Sequence, residues 1–153
     1  MKNANSALKS ALYLLKIRDR SSEEIKSKLK SKGYDNEEII SAIKFLEEKK
    51  FVDDKKFAKS LVRSLSQKGF GQIKIKWHLK KYFLSSENID EALSDIDSEA
   101  EKELAINLAE KWLSKKEGLE RNKKYQSLGR YLASRGFNPY LINEVWSILK
   151  DKQ

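Results

Sequence analysis

The sequence contains no cysteine, one proline, one histidine and six glycines among its 153 residues. The absence of cysteine excludes disulfides, thiolate metal sites and thiol nucleophiles, so the chain needs no oxidising compartment. His78 is the single histidine. The sequence therefore has no histidine cluster for a metal, and no second histidine with which a nucleophilic serine could pair. Walker loops and glycine-rich dinucleotide-binding motifs are also missing. We therefore predict a protein that is not an enzyme and has no cofactor or metal.

Long hydrophobic runs are also missing. No apolar stretch reaches eighteen residues, and the first ten residues contain no run that fits the core of a signal peptide. Charge is abundant instead, since 36% of the residues are charged and 32 Lys+Arg against 23 Asp+Glu give a formal net charge of +9. Such basicity favours polyanionic partners. We expect a cytoplasmic protein that does not bind membranes.

One apolar pattern occurs three times along the chain. Residues spaced i, i+3, i+4, i+7, which share one face of an α-helix, begin at Ile39, Ile89 and Ile142. A leucine stands ten residues before each of these positions: Leu29, Leu79 and Leu132. A further amphipathic helix precedes each pair. The sequence thus predicts an all-α fold of three tandem three-helix, helix-turn-helix-like repeats that form an elongated, curved array. The predicted repeats cover residues 1–52, 53–97 and 98–153.

Residues at the predicted helix starts fit this division. The strings Ser21-x-x-Glu24 and Ser98-x-x-Glu101 have the capping-box pattern, and Asp53 or Asp54 can cap the fourth helix. We expect these side chains to accept hydrogen bonds from the first turn of their own helices.

Other punctuation marks the later helix boundaries. Asn138 followed by Pro139 places a cap and a preset φ at the start of the ninth helix. Gly33 and Gly136 stand where a left-handed residue would end the second and eighth helices.

Charge is segregated along the chain. Residues 55–86 include no Asp or Glu, residues 87–103 are mostly acidic, and residues 111–135 carry a second basic cluster. Runs of charge are usually solvated helix faces. The fifth helix differs, because Trp77 falls among its lysines and not on the apolar face. A tryptophan there can stack on a base or anchor an interface, or it can pack between adjacent repeats.

The loop before the fifth helix is rich in glycine. Lys68-Gly69-Phe70-Gly71 can direct backbone N–H groups and a helix N-terminus towards a phosphate. A plain turn is the alternative interpretation of the same four residues.

Several strings resemble the RecX family of bacterial regulators of the RecA recombinase, over nearly the whole chain. They are Tyr13-Leu14-Leu15, Arg18-x-Arg20-Ser21, Lys32-Gly33-Tyr34, Phe51-Val52-Asp53-Asp54-x-x-Phe57-Ala58, Gly69-x-Gly71, Ile75-x-x-x-Leu79 and Arg135-Gly136-Phe137. Two departures stand out. Lys50 occupies a position that is often glycine in such proteins, and Lys81-Tyr82-Phe83-Leu84 replaces a lysine-glycine-apolar turn. We expect the turn inside the second repeat to differ accordingly.

The resemblance implies a monomer that lodges in the groove of a RecA–DNA filament and suppresses strand exchange, ATP hydrolysis and co-protease function. It thereby implies a role in recombinational repair and the SOS response, with weak or non-specific binding to single- and double-stranded DNA. We predict three groups of contact residues. The first comprises Arg63, Lys68, Lys74, Lys76, Trp77, Lys80 and Lys81; the second comprises Lys123, Lys124, Arg130 and Arg135; the third, carried over from the family motif, comprises Arg18 and Arg20.

Two other functions fit the composition. A DNA- or RNA-binding protein that acts alone, such as a helix-turn-helix transcription factor, would leave a sequence-specific footprint without a recombinase. A protein adaptor with an incidentally basic surface would bind its partner with little response to salt.

Overall fold

The computed structural model describes residues 4–152, which form nine α-helices and a final 3-10 turn without a β-strand. The predicted all-α fold is confirmed. The outermost residues of the first and third predicted repeats, residues 1–3 and 153, lie outside this range. The helices are α1 (Ala4–Ile17), α2 (Ser22–Ser31), α3 (Asn36–Glu48), α4 (Asp54–Gln67), α5 (Gln72–Lys81), α6 (Ser86–Ser94), α7 (Ser98–Leu113), α8 (Arg121–Ser134) and α9 (Pro139–Leu149), followed by the 3-10 turn Lys150–Lys152.

The described residues group into two compact units. The first unit comprises the chain up to Ser60 together with Leu79–Glu91, and the second comprises Leu61–His78 together with the chain from Ala92 onwards. The division falls within α4 and α5, so the second predicted repeat contributes residues to both units. The repeat boundaries at 52/53 and 97/98 stay predictions.

In the first unit, α1, α2 and α3 pack against one another around a single core. The predicted face of α3 that begins at Ile39 is buried, and Ile25 and Leu29 of α2 are fully enclosed. On α1, Ala7 and Ala11 take core positions, whereas Leu12 is exposed. A small side chain there lets α1 and its neighbours approach closely, which a leucine would prevent.

In the second unit, α7, α8 and α9 form an equivalent core. Leu128 and Leu132 of α8 are enclosed, as are Val145 and Leu149 of α9. α8 nevertheless differs from its counterparts. α2 and α5 begin about two turns before Leu29 and Leu79, whereas α8 begins about one turn earlier still relative to Leu132.

The helix caps follow the sequence patterns only in part. Asn138 caps α9 as predicted, since its side chain accepts a hydrogen bond from the Leu141 N–H at 2.9 Å. Of the two candidates for α4, Asp53 is the cap and accepts from the Lys56 N–H at 3.1 Å. The second predicted capping box is wrong, because α7 is capped by Asp97.

The first predicted capping box is half formed. Ser21 caps α2 and accepts a hydrogen bond from the Glu24 N–H at 3.2 Å. The Glu24 carboxylate does not return to the backbone of Ser21, because it pairs with Arg18 and Arg20.

One contact between consecutive repeats occurs twice. In the first unit, Asp54 of α4 accepts hydrogen bonds from the Ser22 N–H at 2.8 Å and from its hydroxyl at 2.6 Å. In the second unit, Glu101 of α7 accepts from the Gln72 N–H and from its side-chain amide, both at 3.0 Å. Ser22 and Gln72 are the first residues of α2 and α5. We call this arrangement the carboxylate junction.

The carboxylate junction places a negative charge at the start of a helix, where backbone N–H groups lack partners and the helix dipole is positive. It also explains why Asp54 and Glu101 do not cap their own helices as the sequence patterns predict. Each carboxylate instead completes the second helix of the preceding repeat.

Loss of this carboxylate should destabilise the fold. We expect Glu101→Ala to lower the free energy of unfolding by about 2 kcal/mol, because two donors of Gln72 lose a charged acceptor. The matched control is Glu103→Ala, which removes an exposed carboxylate from the same helix and should change stability little. Urea unfolding followed by circular dichroism measures both, and equal losses for the two variants would contradict the assignment.

Two residues other than glycine adopt a left-handed conformation at helix ends. Lys50 and Phe83 both have φ of 58°. Phe83 stands at the position that Gly33 and Gly136 occupy in the other repeats, where φ is 89° and 93°. The N–H of Phe83 bonds to the Lys80 carbonyl at 3.2 Å, just as each of these glycines bonds three residues back. The expectation of a different turn in the second repeat is therefore wrong, because Phe83 adopts the glycine conformation.

A side chain in the left-handed region costs about 1–2 kcal/mol, part of which glycine recovers. We therefore expect Lys50→Gly to raise the free energy of unfolding by about 1 kcal/mol. Lys49→Gly is the matched control, because Lys49 has φ of −86° and gains nothing from glycine. Its stability should fall, and denaturant midpoints for the pair give the comparison.

Candidate nucleic-acid interface

One face of α5 is buried and the opposite face combines lysines with large apolar side chains. Ile75 and Leu79 are enclosed, as expected for the apolar face of this helix. The outer face carries residues spaced i, i+3, i+4, i+7 and i+8, which therefore form one continuous line along the helix. We call this line the α5 stripe, and its members are Ile73, Lys76, Trp77, Lys80 and Lys81.

The α5 stripe has a composition that is suited to nucleic acid. The side chain of Trp77 is 52% exposed and packs edge-on against His78, with ring centroids 5.0 Å apart. Ile73, one turn earlier, is 57% exposed. An exposed tryptophan offers a flat surface on which a base can stack, and adjacent lysines can neutralise phosphates. Our sequence interpretation missed Ile73, although its spacing of four residues from Trp77 would have been sufficient to place both on one face.

Lys74 does not belong to the exposed face that carries the other lysines of α5. It is partly buried, its Nζ donates a hydrogen bond to the Ser134 carbonyl at 3.2 Å, and it lies 4.6 Å from the centre of the Phe70 ring. Arg135 stacks on the same ring at 4.7 Å and donates to the carbonyls of Lys68 and Gly69. Both predicted contact residues thus hold the second unit together through Phe70.

The loop before α5 is closed against the turn after α8. Gly71 N–H donates to the Arg135 carbonyl at 2.8 Å, and Ile73 N–H donates to the Gly136 carbonyl at 3.0 Å. A β-carbon on Gly71 would lie 2.6 Å from the Gly136 carbonyl, so only glycine allows this approach. Because Gln72 N–H is bound to Glu101 as well, the interpretation of this loop as a phosphate cradle is wrong.

The two arginines of the family motif bind one internal carboxylate. Arg20 is buried, donates to Glu24 Oε1 at 2.8 Å, and uses its Nε on the Leu14 carbonyl at 3.2 Å. Arg18 pairs with the same Glu24, which is also buried, and its guanidinium lies 5.4 Å from the centre of the Tyr82 ring. One carboxylate thus holds two guanidinium groups within the first unit, which gives both arginines a structural role.

The remaining candidates differ in exposure. Arg63 lies in the last turns of α4 and Lys68 directly follows this helix, and both are exposed in the second unit. On α8, Lys123 and Arg130 are exposed two turns apart, whereas Lys124 is partly buried and lines a groove with Glu110. The predicted second group therefore comprises two exposed residues, Lys123 and Arg130, the partly buried Lys124, and Arg135, which is bound to the loop before α5.

Ion pairs offset part of the charge elsewhere. Lys55 and Lys59 lie 3.6 and 3.9 Å from the Glu91 carboxylate in the first unit. In the second unit, Lys102 of α7 pairs with Glu144 of α9, and the hydrogen bond that Lys102 donates to that carboxylate raises the pKa of Lys102 above its ordinary value. Both sets of pairs join helices and leave the α5 stripe uninvolved.

No group of three or more histidine or carboxylate side chains in residues 4–152 is placed to hold a metal ion. Every helix in that range is too short or too polar to cross a bilayer.

Comparison with known proteins supports the repeat organisation. Family models for the first, second and third three-helix domains of RecX match residues 7–46, 53–93 and 99–146. In structure, the fold matches the crystal structure of RecX from Lactobacillus salivarius with a TM-score of 0.89 and 24% identity, over 96% of both chains. A second RecX crystal structure matches with a TM-score of 0.80 and 26% identity, over 97% of this chain and 73% of the other.

Sequence relatives carry the same name. "Regulatory protein RecX" of Chlorobaculum tepidum is 38% identical over 142 residues, which are 92% of this chain and 86% of that protein. The protein of that name from Clostridium botulinum strain Eklund 17B is 38% identical over 128 residues, which are 82% of this chain and 60% of that protein. This chain spans between 60% and 65% of the length of such clostridial relatives. The chain belongs to the RecX family of regulatory proteins.

Proposed function

We propose that this chain inhibits the RecA recombinase by binding in the groove of the RecA–DNA filament. Bound there, it suppresses strand exchange, ATP hydrolysis and co-protease activity, and so modulates recombinational DNA repair and the SOS response. It acts in the cytoplasm as a monomer and carries out no catalysis of its own. Membership of a family of regulatory proteins supports the direction of this proposal.

The observation that carries the proposal is the α5 stripe. Its three lysines are exposed, and residues 55–86 contain no acidic side chain. Trp77 adds an aromatic face between them. Phosphate neutralisation with base stacking is how proteins hold single-stranded DNA without reading its sequence. A filament regulator needs this kind of contact, because its target DNA has no fixed sequence.

We restrict the proposed contact residues to exposed side chains. Arg20, Arg135 and Lys74 make internal hydrogen bonds, so we assign them to the architecture and not to the filament. The proposed DNA contacts are Lys76, Trp77, Lys80 and Lys81, with Arg63 and Lys68 as exposed basic residues of the same predicted repeat.

Single-strand-dependent ATP hydrolysis by RecA tests the proposal. Substoichiometric amounts of this protein should inhibit hydrolysis strongly at low salt and less strongly at high salt. An absence of inhibition with intact DNA binding would instead favour the stand-alone nucleic-acid-binding protein. Inhibition that is insensitive to salt would favour the adaptor.

The α5 stripe can be tested separately by reversing its charge. We expect Lys76→Glu/Lys80→Glu to weaken binding to single-stranded DNA at least tenfold and to reduce the slope of log K against log salt by about 1–2, since about 0.7 is lost per phosphate contact. Lys9→Glu/Lys16→Glu on α1 makes the same change in net charge at exposed positions and should retain wild-type binding. If both variants lose affinity equally, the effect belongs to the overall charge and not to the α5 stripe.

A further inference from the structure

Phe83 is held in a conformation that its own packing does not favour. Its φ of 58° lies in the left-handed region, which is unfavourable for a residue with a β-carbon, and the other repeats place glycine at this position. Burial does not offset this cost, because the side chain is 59% exposed. Strained residues that gain nothing from the fold are often found at binding sites.

The residues on either side of Phe83 fix its position. The Tyr82 ring packs edge-on against Phe57 with ring centroids 5.6 Å apart, and its carbonyl accepts a hydrogen bond from the Ser21 hydroxyl. On the other side, Leu84 is buried. The turn therefore fixes the backbone from which an exposed aromatic side chain projects, which lowers the backbone entropy that a partner must remove on binding.

Phe83 lines a groove of the first unit together with α2 and α3. The α3 side contributes Ile40, whose side chain is 62% exposed. The α2 side contributes Glu23, Lys26 and Lys30, which share one face of that helix. Glu23 pairs with Lys26 at 2.8 Å, so Lys30 gives the groove a net positive charge. Two exposed apolar side chains beside one uncompensated lysine fit a protein surface better than a phosphate backbone.

We propose that this groove binds a segment of the recombinase that carries a bulky apolar side chain next to a carboxylate. Phe83 and Ile40 contact the apolar side chain, and Lys30 pairs with the carboxylate. The inference rests on the proposed function and deepens it, because it assigns the Phe83 groove to the protein component of the filament and the α5 stripe to the DNA. An aromatic anchor in a partly enclosed groove is the kind of residue that dominates protein interfaces.

Phe83→Gly tests this assignment without harming the fold. Glycine relieves the left-handed strain, so the variant should unfold at a higher urea concentration than the wild type. Its concentration for half-inhibition of RecA ATP hydrolysis should nevertheless rise at least tenfold, while its affinity for single-stranded DNA stays unchanged. Gain of stability with loss of inhibition is a combination that a purely structural residue does not give.

Lys50→Gly is the matched control for Phe83→Gly. It relieves the same strain in the same unit, and its inhibition should equal that of the wild type. Ile40→Ser gives an independent test, because it alters an exposed residue of the groove and should also weaken inhibition without weakening DNA binding.

The results separate this inference from the function on which it rests. If the wild type fails to inhibit RecA, the proposed function fails and the inference fails with it. If the wild type inhibits and Phe83→Gly inhibits equally well, the inference alone is overturned. A parallel loss of DNA binding in Phe83→Gly would also overturn it, because the groove would then contact nucleic acid.

Discussion

The start of a helix needs hydrogen-bond acceptors, and for α2 and α5 the first helix of the following repeat supplies one of them. Ser22 and Gln72 each present a backbone N–H and a side-chain donor, and Asp54 and Glu101 each accept both. The short side chain of Ser22 pairs with the short side chain of Asp54, and the longer side chain of Gln72 pairs with the longer side chain of Glu101. Because half of each contact is made by the main chain, the junction persists while the side chains differ. Within each unit this link joins the second helix of one repeat to the first helix of the next.

Several charged groups bind other groups of the same unit and so stabilise the fold. Arg20 and Glu24 are buried together, and Arg135 is interlocked with the loop before α5. The α5 stripe and the groove beside Phe83 each combine exposed lysine with an exposed aromatic ring. The first is rich in lysine, and the second is mainly apolar. A regulator of a nucleoprotein filament requires both kinds of surface, because its target consists of both kinds of polymer.

The sequence predicted those features that depend on neighbours along the chain. Periodicity identified the helices and most of the core, and Asn138-Pro139 correctly marked the start of α9. Errors arose where a side chain has a distant partner. Glu101 fits a capping box but binds Gln72, 29 residues away, and Asp54 fits a cap of α4 but binds Ser22, 32 residues away. A local pattern contains no information on such partners. Likewise, the exposure of Phe83 depends on tertiary packing around Tyr82 and Leu84.

Because α8 begins about one turn early, the third repeat differs from the first two at the start of its second helix. By the spacing of the repeats, Tyr125 corresponds to Ser22 and Gln72, but it lies inside α8 and its backbone N–H is no longer at a helix terminus. Its hydroxyl is bound to Asn143. The third repeat therefore lacks the receptor position that the first two provide, and a module of the same kind could not be appended there by the same link. Lengthening this protein by design would require shortening α8 by a turn first.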